Sequence, residues 1–332
     1  MPSSYRKINY SLRPAKAIER KMLCDTFRRL YPFDRIERYR YVGLGSLYFS
    51  DFDLFHRSFG MEDMLSIEKD AHVKDSFEFN KPYNCIRLDC RPAAEVLPGL
   101  NWNARSIVWL DYDGRLDEEV LSDIATVIAR AQSGSVLVVS VNAHVERDPD
   151  EAIRAQYAAE TGLPFDLDAF RLRELARRVG DALPTELLGK ELRGKGLAKI
   201  SHKLIHSRIE ESLAARNAMV AASNRMRYQQ IFNFLYSDGA LMLTTGGVIV
   251  SPDEESKFQA CAFSELGFVR SSEEPYHIQV PCLTTKEMRH LNAQLPLVGT
   301  NAAPPPGVPS EDIAKYTELY RYFPTFAEAI FI

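Results

Sequence analysis

Four stretches of this chain place glycines or carboxylates directly after an apolar run, where they could hold a small polar ligand. The first is Val42-Gly43-Leu44-Gly45-Ser46, whose two glycines let the backbone turn tightly and approach a ligand closely. The second is Glu68, 23 residues beyond Gly45 and near the ~20-residue offset at which an acidic side chain reaches the hydroxyls of a bound ribose. Asp89-Cys90 and Asp111-Tyr112-Asp113-Gly114 are the third and fourth. A dinucleotide fingerprint wants a third small residue where this chain has Tyr48, and no GxxxxGK(S/T) phosphate loop occurs. The combination points to a nucleoside ligand without a phosphate chain.

These positions need elements to bring them together. The sequence predicts strands over 39–44, 64–67, 85–88, 106–110 and 135–141, alternating with helices over 51–59, 70–79 and 118–131 and a helical turn over 93–97. Five such steps in about 110 residues argue for a parallel sheet with helices on both faces, in which ligands bind beyond the carboxyl ends of the strands. All four stretches would then share one edge. Before the sheet, residues 14–30 have the apolar spacing of a helix that Pro14 can start and Pro32 ends.

After residue 145 the pattern changes. Asp148 and Pro149 read as N-cap and first residue of a helix opening an inserted helical region, whose longest helix is expected over 210–236. Strand character returns over 240–250, with Thr245-Gly246-Gly247 read as a turn, and over 277–282. A proline-rich linker over 301–309, a helix over 311–322 and an apolar tail over 329–332 complete the chain. The expected organisation is an N-terminal helical segment (1–37), a cofactor-binding core (38–145), the helical insertion (146–236), closing strands (237–300) and the C-terminal linker and helix (301–332).

Composition sets the outer limits. Hydrophobic residues at 45% and charged residues at 26% of 332 are ordinary for a globular chain and exclude disordered and collagen-like classes. No apolar stretch approaches the ~18 residues of a spanning helix, so a cytoplasmic protein without membrane attachment is expected. Five cysteines without metal-type spacing read as reduced, mostly buried thiols. Of the net charge of −4, residues 1–42 carry +7, from eleven basic and four acidic residues, which leaves −11 for the rest. A basic opening could grip RNA, or lie as a lid over an acidic crevice with Arg13, Lys16 and Arg20. The basic run Lys190, Arg193, Lys195, Lys199, Lys203 and Arg208 could contact phosphates or simply be solvated. His202 and His206 are expected on a solvated helix face, because the sequence between them lacks a metalloprotease glutamate.

With these residues in place, the chain resembles the class I S-adenosylmethionine-dependent methyltransferases, over 39–143 and the late strands. More broadly it is similar to bacterial O-methyltransferase-like proteins, including the opening Leu12-Arg13-Pro14-Ala15-Lys16 run. The resemblance implies an α/β fold, a Rossmann-like three-layer sandwich with a mostly parallel sheet and a helical insertion. It implies that Gly43, Leu44, Gly45 and Ser46 contact the methionine part of S-adenosyl-L-methionine, that Glu68 holds the ribose and that Asp89 or Cys90 faces the adenine. Asp111 would lie beside the methyl group, and S-adenosyl-L-homocysteine would be the product. The sequence carries neither the Asn/Asp-Pro-Pro-Tyr motif of adenine-methylating enzymes nor the Pro-Cys nucleophile of cytosine enzymes.

For an oxygen acceptor, Asp111, Asp113 or His144 could take the proton directly. A divalent metal on Asp111, Asp113 and Asn142 is the less favoured route, because Ser140-Val141-Asn142 stands where a second carboxylate is expected. Asp113-Gly114 also reads as an ordinary turn, and Glu68 as a possible helix cap. The leading expectation is O-methyl transfer to an unidentified small-molecule or macromolecular acceptor. The alternatives are an RNA-directed methyltransferase and a non-catalytic nucleotide-binding partner protein, and a protein partner or homo-oligomer is left open.

Overall fold

The computed structural model describes residues 13–297 and 303–324. The opening residues 1–12, part of the linker at 301–302 and the apolar tail 329–332 lie outside the described residues. Eight strands form one sheet: β1 (Arg40–Leu44), β2 (Met64–Ile67), β3 (Ile86–Asp89), β4 (Ser106–Asp111), β5 (Val136–Asn142), β6 (Arg227–Ser237), β7 (Leu241–Val250) and β8 (Tyr276–Ile278). Their order is β3-β2-β1-β4-β5-β7-β6-β8. The first five are mutually parallel, β7 runs antiparallel between β5 and β6, and β8 joins the edge parallel to β6. Strand order reverses between β1 and β4, so a crevice opens at their carboxyl ends.

Helices cover both faces. On one side α1 (Pro14–Arg28), α2 (Ser50–Phe59) and α3 (Lys74–Asn80) bury Ile18, Met22, Phe27, Phe52, Phe55 and Phe77 against Tyr41, Trp109, Val138 and Phe232. On the other side α4 (Ala93–Val96), α5 (Glu118–Arg130) and α8 (Gly196–Asn217) cover Val42, Val108, Leu110 and Leu137, with α6 (Glu151–Thr161) and α7 (Leu167–Val179) inserted ahead of α8. The chain closes with α9 (Glu255–Ala260), α10 (Thr285–Asn292) and α11 (Ser310–Leu319). This is the expected three-layer α/β sandwich. Among the described residues, no helix is long and apolar enough to cross a membrane.

Several expectations change. The helix read over 210–236 is instead the end of α8 followed by strand β6. β6 is covered on both faces, with Phe232 and Phe234 in one core and Leu235 in the other, so its apolar residues run together and hide the period of two. The helical insertion therefore ends before Arg227. Thr245-Gly246-Gly247 is not a turn but the middle of β7, and the chain turns instead at Asp238-Gly239, where Gly239 has φ +97°. The two strand glycines admit neighbouring backbone: a Cβ on Gly246 would come within 2.6 Å of Leu137 O, and one on Gly247 within 2.2 Å of Gln229 O. The N-cap expected at Asp148 is Asp150, whose side chain accepts from Ile153 N–H at 3.0 Å. All five cysteines are free thiols, but only Cys24 and Cys261 are buried.

Candidate active site

Backbone hydrogen bonds stitch the first three strand ends into one edge. Gly45 N–H donates to Ile67 O at 2.5 Å, and Glu68 N–H donates to Asp89 O at 2.9 Å. Gly45 fits closely, because a Cβ there would stand 3.0 Å from Glu68 Cβ and 3.1 Å from Ile67 O and its neighbours would have to give way. At Gly43 a Cβ would meet the Tyr41 hydroxyl at 2.7 Å. The loop enters α2 through Phe49, a non-glycine residue at φ +45° whose fully buried ring packs on Phe52 and Phe77. That backbone conformation is unfavourable for phenylalanine, so packing holds it.

Glu68 accepts from Asp70 N–H at 3.1 Å through Oε1. Burial pushes its pKa up. Asp89 accepts both arms of the Arg91 guanidinium, at 2.9 and 2.7 Å, and this fork holds its pKa below the usual carboxylate range. Cys90 next to it is half-buried, which raises its thiol pKa and keeps it protonated.

Asp111, at the end of β4, meets a residue from the other end of the sequence. Lys16 Nζ of α1 lies 2.7 Å from Asp111 Oδ1 and 2.8 Å from Glu19 Oε2, donates to Tyr236 OH at 3.2 Å, and sits 4.4 Å above the Trp109 ring. Burial alone would lower the Lys16 pKa, but the Asp111 and Glu19 carboxylates outweigh it and the net direction is upward. Glu19 is pushed up by its own burial, against the pull of the ammonium. The Lys16 side chain is 5% exposed and that of Asp111 32%, so the ammonium is sealed while the carboxylate keeps partial access to solvent. Asp238 fixes the start of α1, accepting from Ala15 N–H at 3.2 Å and Lys16 N–H at 2.9 Å. Beside this cluster, the Tyr41 hydroxyl donates to Asp51, whose pKa is raised by burial.

The remaining candidates are placed differently. Asp113 is exposed on the turn after β4. His144 is half-buried, its N–H donating to Asn142 Oδ1 at 2.8 Å and its carbonyl accepting from Arg115 Nε at 2.7 Å. Lys16 occupies the position on Asp111 that the metal reading gave to a cation, and Asn142 is engaged with its own loop. Among the described residues, no three His, Cys, Asp or Glu side chains converge as a metal-binding group. His202 and His206 are not on a solvated face: His202 is 5% exposed, bonds Gln230 Oε1 at 2.9 Å and stacks on His206 at 4.4 Å. Lys16 was named by sequence only as part of a basic lid over an acidic crevice, and Glu19, Tyr41, Asp51, Tyr236 and Asp238 were not singled out. Lys16 and Glu19 continue the buried stripe of Leu23 and Thr26 along α1, and charges on an apolar stripe are the signal that could have found them.

A family described as "Putative O-methyltransferase" matches residues 8–331 of the chain. The chain belongs to this O-methyltransferase family. No curated protein sequence matches it. Among solved structures it is similar to Trm1 from Pyrococcus horikoshii in complex with S-adenosyl-L-methionine, at 12% identity and TM-score 0.43. That match covers 78% of this chain and 61% of the other, so the chain spans less than two thirds of that relative. It is also similar to the O-methyltransferase TomG from Streptomyces achromogenes in complex with SAM, at 12% identity and TM-score 0.35, covering 69% of this chain and 78% of that one. A third is the plantazolicin methyltransferase BamL, at 10% identity and TM-score 0.38, covering 75% and 88%. These likenesses are distant, and the fold of this O-methyltransferase family member rests on its own strand order.

Proposed function

We propose that the chain transfers the methyl group of S-adenosyl-L-methionine to an oxygen nucleophile, in the cytoplasm. The observation that carries this is the stitched edge of β1, β2 and β3, which sets the Gly43–Ser46 turn beside Glu68 at the switch point of the sheet. The donor set fits the cofactor: backbone of Gly43, Leu44, Gly45 and Ser46 for its methionine part, and the Glu68 carboxylate at the end of β2 for ribose hydroxyls. Asp89 or Cys90 would face the adenine. When bound, S-adenosyl-L-methionine supplies a methyl group activated by its sulfonium centre.

The chain's own residues orient the acceptor and take its proton. Asp111 Oδ2 is the base we assign: Lys16 holds Oδ1, and the carboxylate side chain is 32% exposed. Much of the acceleration then comes from holding the reacting oxygen in line and excluding water. Asp113 and His144 are secondary candidates for the proton. A small-molecule acceptor fits better than RNA, because Arg193, Lys203 and Arg208 already face Asp168, Glu273 and Glu211. The test incubates the protein with methyl-labelled S-adenosyl-L-methionine and fractionated extract. Label is expected in the small-molecule fraction and absent with Asp111→Ala; label in RNA would favour the other acceptor class, and no transfer to any fraction would contradict the proposal.

A further inference from the structure

A second cavity, of about 290 Å³, lies away from the cofactor crevice, between the first turns of α8 and the strands β6, β7 and β8. Its floor includes Leu235 and Leu243, which belong to the core on the α8 side, whereas Asp111 reaches Lys16 on the α1 side. In the sheet, β7 and β6 are two and three strands from β4, roughly 10 and 14 Å. The cavity therefore opens at the same end of the sheet as Asp111, but on its other face.

The walls of the cavity differ in charge. One wall is the N-terminus of α8, a 22-residue helix without a side-chain cap, flanked by Lys195 and Lys199. Leu197 and Ala198, in its first turn, have no intrahelical acceptor for their amides, and the helix dipole adds positive potential there. The lining also holds Glu273, whose carboxylate lies 3.9 Å from Lys203 Nζ of α8, and Glu274. Between them Asn233, 1% exposed, donates through Nδ2 to Ser272 O at 3.1 Å and Glu273 O at 2.9 Å, yet its Oδ1 accepts no hydrogen bond. A buried acceptor left open costs about 1–3 kcal/mol, so a donor that reaches it is favoured. A pure anion would be repelled by Glu273, Glu274 and Asn233 Oδ1, and a pure cation by Lys195, Lys199 and the helix N-terminus. A molecule carrying both charges satisfies both walls. The volume lies at the low end of the ~300–1,000 Å³ found for ligand sites.

We propose that this cavity binds a small zwitterion of the α-amino-acid type, with its carboxylate at the α8 N-terminus and its ammonium at Asn233 Oδ1 and the Glu273–Glu274 wall. Burial holds His202 and His277 on the neutral side, so neither adds a charge at neutral pH. The site does not depend on the methyl-transfer reading. Saturation-transfer NMR on the full chain, with a millimolar mixture of the protein amino acids, tests it. Signals are expected from at least one amino acid, and its affinity should fall at least ~10-fold in Lys195→Glu/Lys199→Glu and in Glu273→Gln/Glu274→Gln. The α-amide and N-acetyl forms of that amino acid should also bind at least ~10-fold more weakly. All four side chains are exposed, so circular dichroism and S-adenosyl-L-homocysteine binding should be unchanged in both variants. No transfer to any amino acid, equal binding of the blocked forms, or binding that survives both double substitutions would overturn the proposal.

Discussion

Lys16 is the residue on which the site is built. One ammonium lies between Asp111 and Glu19 with almost no solvent access, so its removal leaves the fully buried Glu19 carboxylate without its cation, against Tyr236. Breaking a buried pair from one side costs about 3–5 kcal/mol. Lys16→Met is expected to lower unfolding free energy by that order in urea titration, whereas Glu19→Gln, which keeps the Lys16–Asp111 contact, should change it by about 1 kcal/mol or less. A result with the two variants equal would remove Lys16 from its central place. Gly45 acts through space instead of charge. With a Cβ set 3.0 Å from Glu68 Cβ, Gly45→Ala must move the turn or Glu68, and S-adenosyl-L-homocysteine affinity is expected to fall at least ~10-fold in a folded protein.

At the scale of elements, α1 and the α8–β6 seam depend on contacts that are remote in sequence. Asp238 accepts the first amides of α1 from the turn between β6 and β7, so Asp238→Ala should cost about 1 kcal/mol, as other lost caps do, read as a lower melting temperature. In the seam, burial and then the neighbouring His202 push His206 down to about 4, from an ordinary value near 6.5. Between those values the unfolded chain binds a proton that the folded chain does not. The contribution of His206 to stability is therefore complete above pH 6.5 and is lost as the pH drops towards 4. Melting temperature measured across this window should decline, and His206→Gln should flatten the decline; an unchanged slope would place the acid sensitivity elsewhere. The strands β1 to β5 were legible because each is a short apolar run, the first four closed by a glycine or a carboxylate, and Gly45, Glu68, Asp89 and Asp111 could be aligned from that pattern alone. Two things were not. β6 is buried on both faces and reads without alternation, although Tyr228, Phe232, Phe234 and Tyr236 carry strand-type aromatic enrichment. The partners of α1 were also hidden: its positive charge suggested a lid over an acidic crevice, but nothing local says that Lys16 meets Asp111 or that Asp238 caps the helix.

For the whole molecule, the described residues form one eight-stranded sheet between two helical layers, with α6 and α7 as the added length between β5 and α8 and with α10 packed on α11. The crevice and the second cavity share one end of that sheet and are separated by its thickness, so a ligand at either site meets a different set of helices. The family match spans nearly the full length, which ties the insertion and the N-terminal helix to the same O-methyltransferase family as the sheet. In the proposed function the edge formed by Gly43–Ser46, Glu68 and Asp89 holds S-adenosyl-L-methionine. Calorimetric titration with S-adenosyl-L-homocysteine reads this out. Saturable binding is expected at one site per chain, weakened ~10-fold or more by Glu68→Ala, since a charged group accepting ribose hydroxyls contributes about 1.5–3 kcal/mol. Absence of binding to the wild-type protein, or affinity unchanged by Glu68→Ala, would contradict it.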